Sequence, residues 1–164
     1  MALLIQCVLL CLLFTLVVMP AQYKDPLSMI MSYPPEIIKR VEELPQYQNV
    51  IKRREKSHIG KKTVGFIFLT AVLSAAAYFS GCKSFGTAFV HVFTLFASVN
   101  VYDLVILDWG IFCHSRKLRI PGTEDMEKSY RNYAFHLKGA VIGLALGAVG
   151  ALLSGCIIHI ISVI

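Results

Sequence analysis

The sequence lacks the short motifs by which many soluble enzymes are recognised. It has no glycine-rich nucleotide loop, no Ser/His/Asp order, no HExxH and no haem-attachment pattern. Nucleotide-dependent transfer, triad hydrolysis and helix-borne zinc hydrolysis therefore have no recognisable carrier. Five cysteines (Cys7, Cys11, Cys82, Cys113 and Cys156) include no CxxC and no metal-type spacing, which leaves no dithiol or structural-zinc framework to read. Cys7 and Cys11 stand one helical turn apart and read as small apolar filler. Cys82 is expected to be exposed, and a disulfide from it to Cys7 or Cys11 is left open.

Charge is also scarce. Charged residues make up 16% of the chain and hydrophobic residues 56%, against about 45–50% apolar residues in a soluble domain. Mean hydropathy is +0.65. No charged side chain precedes Lys24 and none follows Lys138. A bilayer crossing needs about 20 mostly apolar residues, and four stretches qualify: 2–19, 64–80, 85–107 and 137–162. They leave no room for a separate soluble domain. The expected fold is all-α: a polytopic membrane protein with four transmembrane helices in a single domain over 1–164, plus a short amphipathic helix on the cytoplasmic face.

The net charge of +6 would suit nucleic acid, but its distribution does not. Nine of the sixteen Lys and Arg lie between Lys24 and Lys62, and six between Arg116 and Lys138. This is the positive-inside pattern. It makes 20–63 and 108–136 cytoplasmic loops, puts both termini outside, and fits the plasma membrane of a bacterium. The lipid bilayer, with anionic lipids at its cytoplasmic face, is the expected partner; nucleic acid is not. The first apolar stretch carries no basic n-region and only a poor cleavage site, so it reads as a retained span ending at Pro20 rather than a secretory leader.

Within the first loop, Tyr33-Pro34-Pro35-Glu36 has the character of a helix start. Ile37, Ile38, Val41 and Leu44 then recur at helical spacing opposite Glu36, Lys39, Arg40, Glu42 and Glu43. Such a helix is expected to lie on the membrane surface. The basic run that follows, up to Lys62, is expected to hold anionic headgroups at about 1 kcal/mol per cation. Thr70, Ala71, Ser74 and Ala75 mark a close-packing face on the second span. Gly81-Cys82-Lys83-Ser84 reads as the turn of an antiparallel hairpin. Pro121-Gly122 breaks the chain, Thr123 is expected to cap the next helix, and Glu124, Asp125 and Glu127 would fill its first turn. In the last span Gly139, Gly143, Gly147, Ala151 and Gly155 recur at strict four-residue steps. A small-xxx-small stripe of this length predicts a close helix contact, with either an internal helix or a second copy in a homo-oligomer.

The candidate chemistry lies at the end of the third span. On an α-helix Asn100, Asp103, Leu107, Gly110 and His114 fall within roughly 80° of one another, and Asp108 falls on another face. An acid inside a span is costly and is read as functional by default, which makes Asp103 the expected centre of an ion- or substrate-binding stripe with Asn100, His114 and Asp108. Asp103, Asp108, His114 and His136 together offer an oxygen and nitrogen donor set for a divalent metal. His91 and His159 are expected to hydrogen-bond across the third and fourth helices. Three functions follow. The leading one is transport- or channel-like, with a cation or proton on the stripe and a wetted path past His91. The second is a membrane enzyme acting on a lipid headgroup or isoprenoid, using a metal or an acid/base site. The third is a non-catalytic subunit packing beside a larger partner.

Overall fold

The structure, a computed structural model, describes residues 1–163. Of the chain, 84% is helical, and no strand occurs among the described residues. The elements are α1 (Ala2–Lys24), a 3₁₀ turn (Pro26–Ser32), α2 (Pro35–Glu43), α3 (Gln48–Phe79), α4 (Phe85–Tyr102) running on as a π-helix (Asp103–Phe112), a 3₁₀ turn (Arg116–Leu118), α5 (Glu127–Tyr130) and α6 (Tyr133–Val163). Among the described residues, four helical stretches are long and apolar enough to cross a membrane: Ala2–Lys24, Gln48–Phe79, Phe85–Phe112 and Glu127–Val163.

Boundaries differ from the sequence reading for identifiable reasons. Helix α1 does not stop at Pro20 but continues to Lys24. Proline removes one N–H donor, yet the chain beyond it keeps its winding, and Asp25 N–H still bonds Ala21 O at 3.1 Å. Met19 is buried at that end and ties the helix down. The first loop is mostly helical, because α3 starts at Gln48 and carries the basic run and the apolar run as one rod. Thr123 does not cap a helix. It is fully buried, and its hydroxyl donates to Ile120 O at 2.7 Å. The last helix is instead capped by Asn132, whose side-chain oxygen accepts the Phe135 N–H at 3.0 Å.

Two cores result. One joins α3, α4 and α6 through Leu73, Ala77, Ala88, Val92, Leu95, Ala151 and Ile158. The glycine stripe serves it from within the chain. A Cβ at Gly147 would meet Phe96 and one at Gly155 would meet Phe85, both residues of α4, while Gly139 has nothing nearby. Gly150, off the four-residue register, also touches Phe96. Beside the stripe, Ser74 Oγ donates to Ser154 Oγ at 2.7 Å, joining α3 to α6. Helix α1 docks on α4 by polar rungs. Gln6 Oε1 pairs with His91 Nε2 at 2.7 Å, Ser98 Oγ with Cys7 Sγ at 3.3 Å, and Thr15 Oγ1 with Tyr102 OH at 2.8 Å. Such bonds between apolar helices each tie a side chain of α1 to one of α4. His91 is thus taken by Gln6, and the expected pairing with His159, which is exposed, does not form. All five cysteines are free, and Cys82 is buried rather than exposed.

The second core lies at the basic end of the bundle: Met19, Ile30, Tyr33, Ile37, Val41, Ile51, Leu107, Phe112, Leu118, Ile120 and Tyr130. It takes up the apolar face of α2, whose Ile37 and Val41 are completely buried. That face therefore packs on protein instead of being left for lipid. Tyr33 OH donates to Leu118 O at 3.1 Å, and Tyr130 OH accepts the Ile120 N–H at 3.0 Å. Gly122 makes the turn between them possible. Its φ is +92°, and a Cβ there would come within 2.7 Å of Leu44.

Candidate functional site

The site begins with the change of winding at Asp103. From Asp103 to Phe112 the helix is of π type, with bonds that skip to the fifth residue, as Cys113 N–H does to Asp108 O at 2.9 Å. π segments of any length are rare and are often found at functional sites. In an α-helix, residues 103 and 108 would stand roughly 140° apart. Wider winding brings every fifth residue back over the first, so both carboxylates border one cleft. The expectation that Asp108 lies off the Asp103 face is corrected by this backbone.

The cleft has a volume of about 500 Å³ and opens between α1, α3, the π-helix and α6. Lys62, Asn100, Asp103, Asp108 and His136 line it. Asp108 Oδ2 accepts from His136 Nδ1 at 3.1 Å, with the His136 side chain only 5% exposed and Asp108 31%. His136 is wedged edge-on against Phe112 and Phe135. Its other ring nitrogen, Nε2, is buried without a hydrogen-bond partner, as is Asn100 Oδ1. Buried polar atoms are normally satisfied, and both of these orphans, unpartnered among the described residues, belong to side chains that line one cleft. Gly143 shapes the wall beside them, since a Cβ there would collide with Asn100 Nδ2.

A second, apolar cavity of about 550 Å³ adjoins the cleft, walled by residues such as Leu13, Val17, Phe66, Leu69, Phe96 and Leu146. Phe14, Asn100, Asp103 and Gly143 belong to both. The polar cleft and the apolar cavity thus meet at Asn100 and Asp103. Neither reaches His91.

Not every predicted site residue gathers here. His114 is exposed and outside the cleft; its Nδ1 faces Trp109 O at 2.9 Å and its Nε2 lies 3.4 Å from Tyr133 OH. The four-residue donor set of Asp103, Asp108, His114 and His136 is accordingly not assembled. No three His, Cys, Asp or Glu side chains among the described residues are placed to hold a metal ion. The sequence reading missed Lys62, which it treated as one of many anchoring cations. It also missed Phe96, which carries the floor between stripe and cavity. The signal for Lys62 was its place on the helical rod, two residues ahead of the apolar run, but a boundary drawn between loop and span hides that continuity. Comparison with protein families, curated proteins and solved structures finds no match for this chain.

Proposed function

We propose that this chain is an integral membrane protein that takes up a single lipid-like amphiphile, its tail in the apolar cavity and its polar head in the cleft of Asp103, Asp108, His136 and Lys62. One observation carries this reading: the apolar and polar cavities share Asn100, Asp103 and Gly143, so one ligand can occupy both. Lipid is reachable, because residues such as Leu13, Val17 and Leu146 are also open to the exterior. In the bilayer the basic end would face the cytoplasm, following the bias of Lys and Arg. The Asp108–His136 pair gives the head a proton-handling partner, since a carboxylate that holds one imidazole nitrogen orients the ring for acid/base work. The second reading from the sequence, an enzyme acting on a lipid headgroup, is therefore preferred to transport. His91 is held by Gln6 at 2.7 Å and lines neither cavity, so transport past it has no supporting path.

The test is native mass spectrometry of the full chain released from detergent, beside a Leu146→Trp variant that fills the apolar cavity from its rim. One retained amphiphile per chain is expected on the wild type, and a clear loss on the variant at unchanged melting temperature. A wild type that retains only the bulk lipid mixture, to the same extent as the variant, would remove the proposal.

A further inference from the structure

The amphiphile reading leaves the chemistry of the head open, and a neighbouring pocket speaks to it. This pocket, about 280 Å³, lies between the 3₁₀ turn Pro26–Ser32 and α3, and shares Met29, Met31, Ser32 and Lys62 with the polar cleft. Its polar lining includes Arg54, His58, Lys61 and Lys62, the hydroxyls of Ser28, Ser32 and Ser57, and no carboxylate.

Resting on that reading, we infer that the pocket seats a phosphate-type anion, the head of a phosphate-bearing amphiphile. Arg54 is already engaged by Asp25 at 3.1 Å. Lys61 and Lys62 have no ion-pair partner among the described residues, and His58 Nε2 is buried with no hydrogen-bond partner. Two free ammonium groups, with the hydroxyls of Ser28, Ser32 and Ser57 beside them, give a tetrahedral oxyanion several donors at once, and charge-assisted bonds of this kind are the strong ones. The carboxylates across the cleft sharpen the placement. Asp103 and Asp108 repel a phosphate, so the anion rests on the lysine side and the adjoining part of the head lies against Asp108 and His136. Generic anchoring would not distinguish Lys61 and Lys62 from Lys52 and Arg53, which are also exposed but lie outside the pocket.

The experiment measures binding to the full chain in a neutral maltoside detergent, with dodecyl phosphate, dodecanol and inorganic phosphate as probes. Dodecyl phosphate is expected to bind roughly tenfold or more tighter than dodecanol, as a charge-assisted bond of one to a few kcal/mol implies. The double variant Lys61→Gln/Lys62→Gln should erase that preference, while Lys52→Gln/Arg53→Gln, which removes the same charge from the same helix, should keep it. Equal loss in both doubles overturns the pocket in favour of diffuse electrostatics. Equal binding of dodecanol and dodecyl phosphate overturns the anion and leaves the amphiphile reading intact. Inorganic phosphate binding as tightly as dodecyl phosphate keeps the anion pocket but overturns its assignment to a lipid head. If neither alkyl probe binds, both inferences fall together.

Discussion

Asp108 and His136 stand on different helical stretches and meet at 3.1 Å, the carboxylate partly exposed and the imidazole, which also lines the cleft, almost wholly buried. The contact depends on backbone winding as much as on the side chains. Removing the carboxylate strands a buried ring. Asp108→Ala is expected to cost about 1–3 kcal/mol, the penalty for an orphaned buried polar group. Asp108→Asn keeps an acceptor within reach and should cost less. Thermal unfolding in detergent separates the two; equal Tm values for both variants and the wild type would mean that the pair does not hold the site.

The glycine stripe makes a sharper prediction than its regularity suggested. Gly143→Ala drives a methyl into Asn100 and should destabilise by about 1–3 kcal/mol, the usual range for overpacking. Gly139→Ala meets nothing and should be neutral or stabilising by up to about 1 kcal/mol, because alanine is the better helix former. Melting curves of the two variants side by side decide the point.

Asp103 sits where the two cavities join, so its charge bears on which heads are accepted. Asp103→Asn keeps the shape and removes the repulsion of anions. The folded fraction should stay near that of the wild type, and the ratio of anionic to zwitterionic lipid retained in native mass spectra should rise. An unchanged ratio would show that the carboxylate does not touch the head.

A fourth expectation concerns alkaline stability. Burial, reinforced by the neighbouring Tyr130 and Asp25, pushes the Tyr33 hydroxyl above the ordinary tyrosine value of 10.0. The folded state therefore favours the protonated form. Its contribution is complete below about pH 10 and drains away as the pH rises further. Tyr33→Phe should lower the melting temperature at neutral pH, since the Leu118 carbonyl loses its donor, and should flatten the loss above pH 10. Parallel slopes for variant and wild type would mean that another group controls the alkaline limb.

What the sequence could reveal divides along physical lines. The long helices were legible because hydrophobic length is a local property. Most of the glycine stripe was legible because a four-residue period survives in any surroundings, yet Gly139 shares the period without the contact. The covering of α2 was not legible: Ile37 and Val41 make an apolar face that reads alike whether lipid or protein closes it. The Gln6–His91 pair spans 85 positions of the chain and leaves no periodic trace. Least visible was the π winding. DLVILDWGIF is an ordinary apolar run, and a helical wheel drawn for α geometry sends Asp108 to the wrong side.

Helix α3 is unbroken from Gln48 to Phe79. At 1.5 Å per residue its 32 residues extend about 48 Å, whereas the hydrocarbon of a bilayer is about 30 Å thick. The surplus belongs to the same rod that carries His58, Lys61 and Lys62, so that segment cannot adjust on its own. A bilayer too thin for an apolar stretch is met by tilting, and in the proposed membrane setting a tilt of this rod would carry the lysines with it, beside the π-helix that lines the same cleft. In that setting, bilayer thickness would thereby act as a mechanical input to the mouth of the cleft.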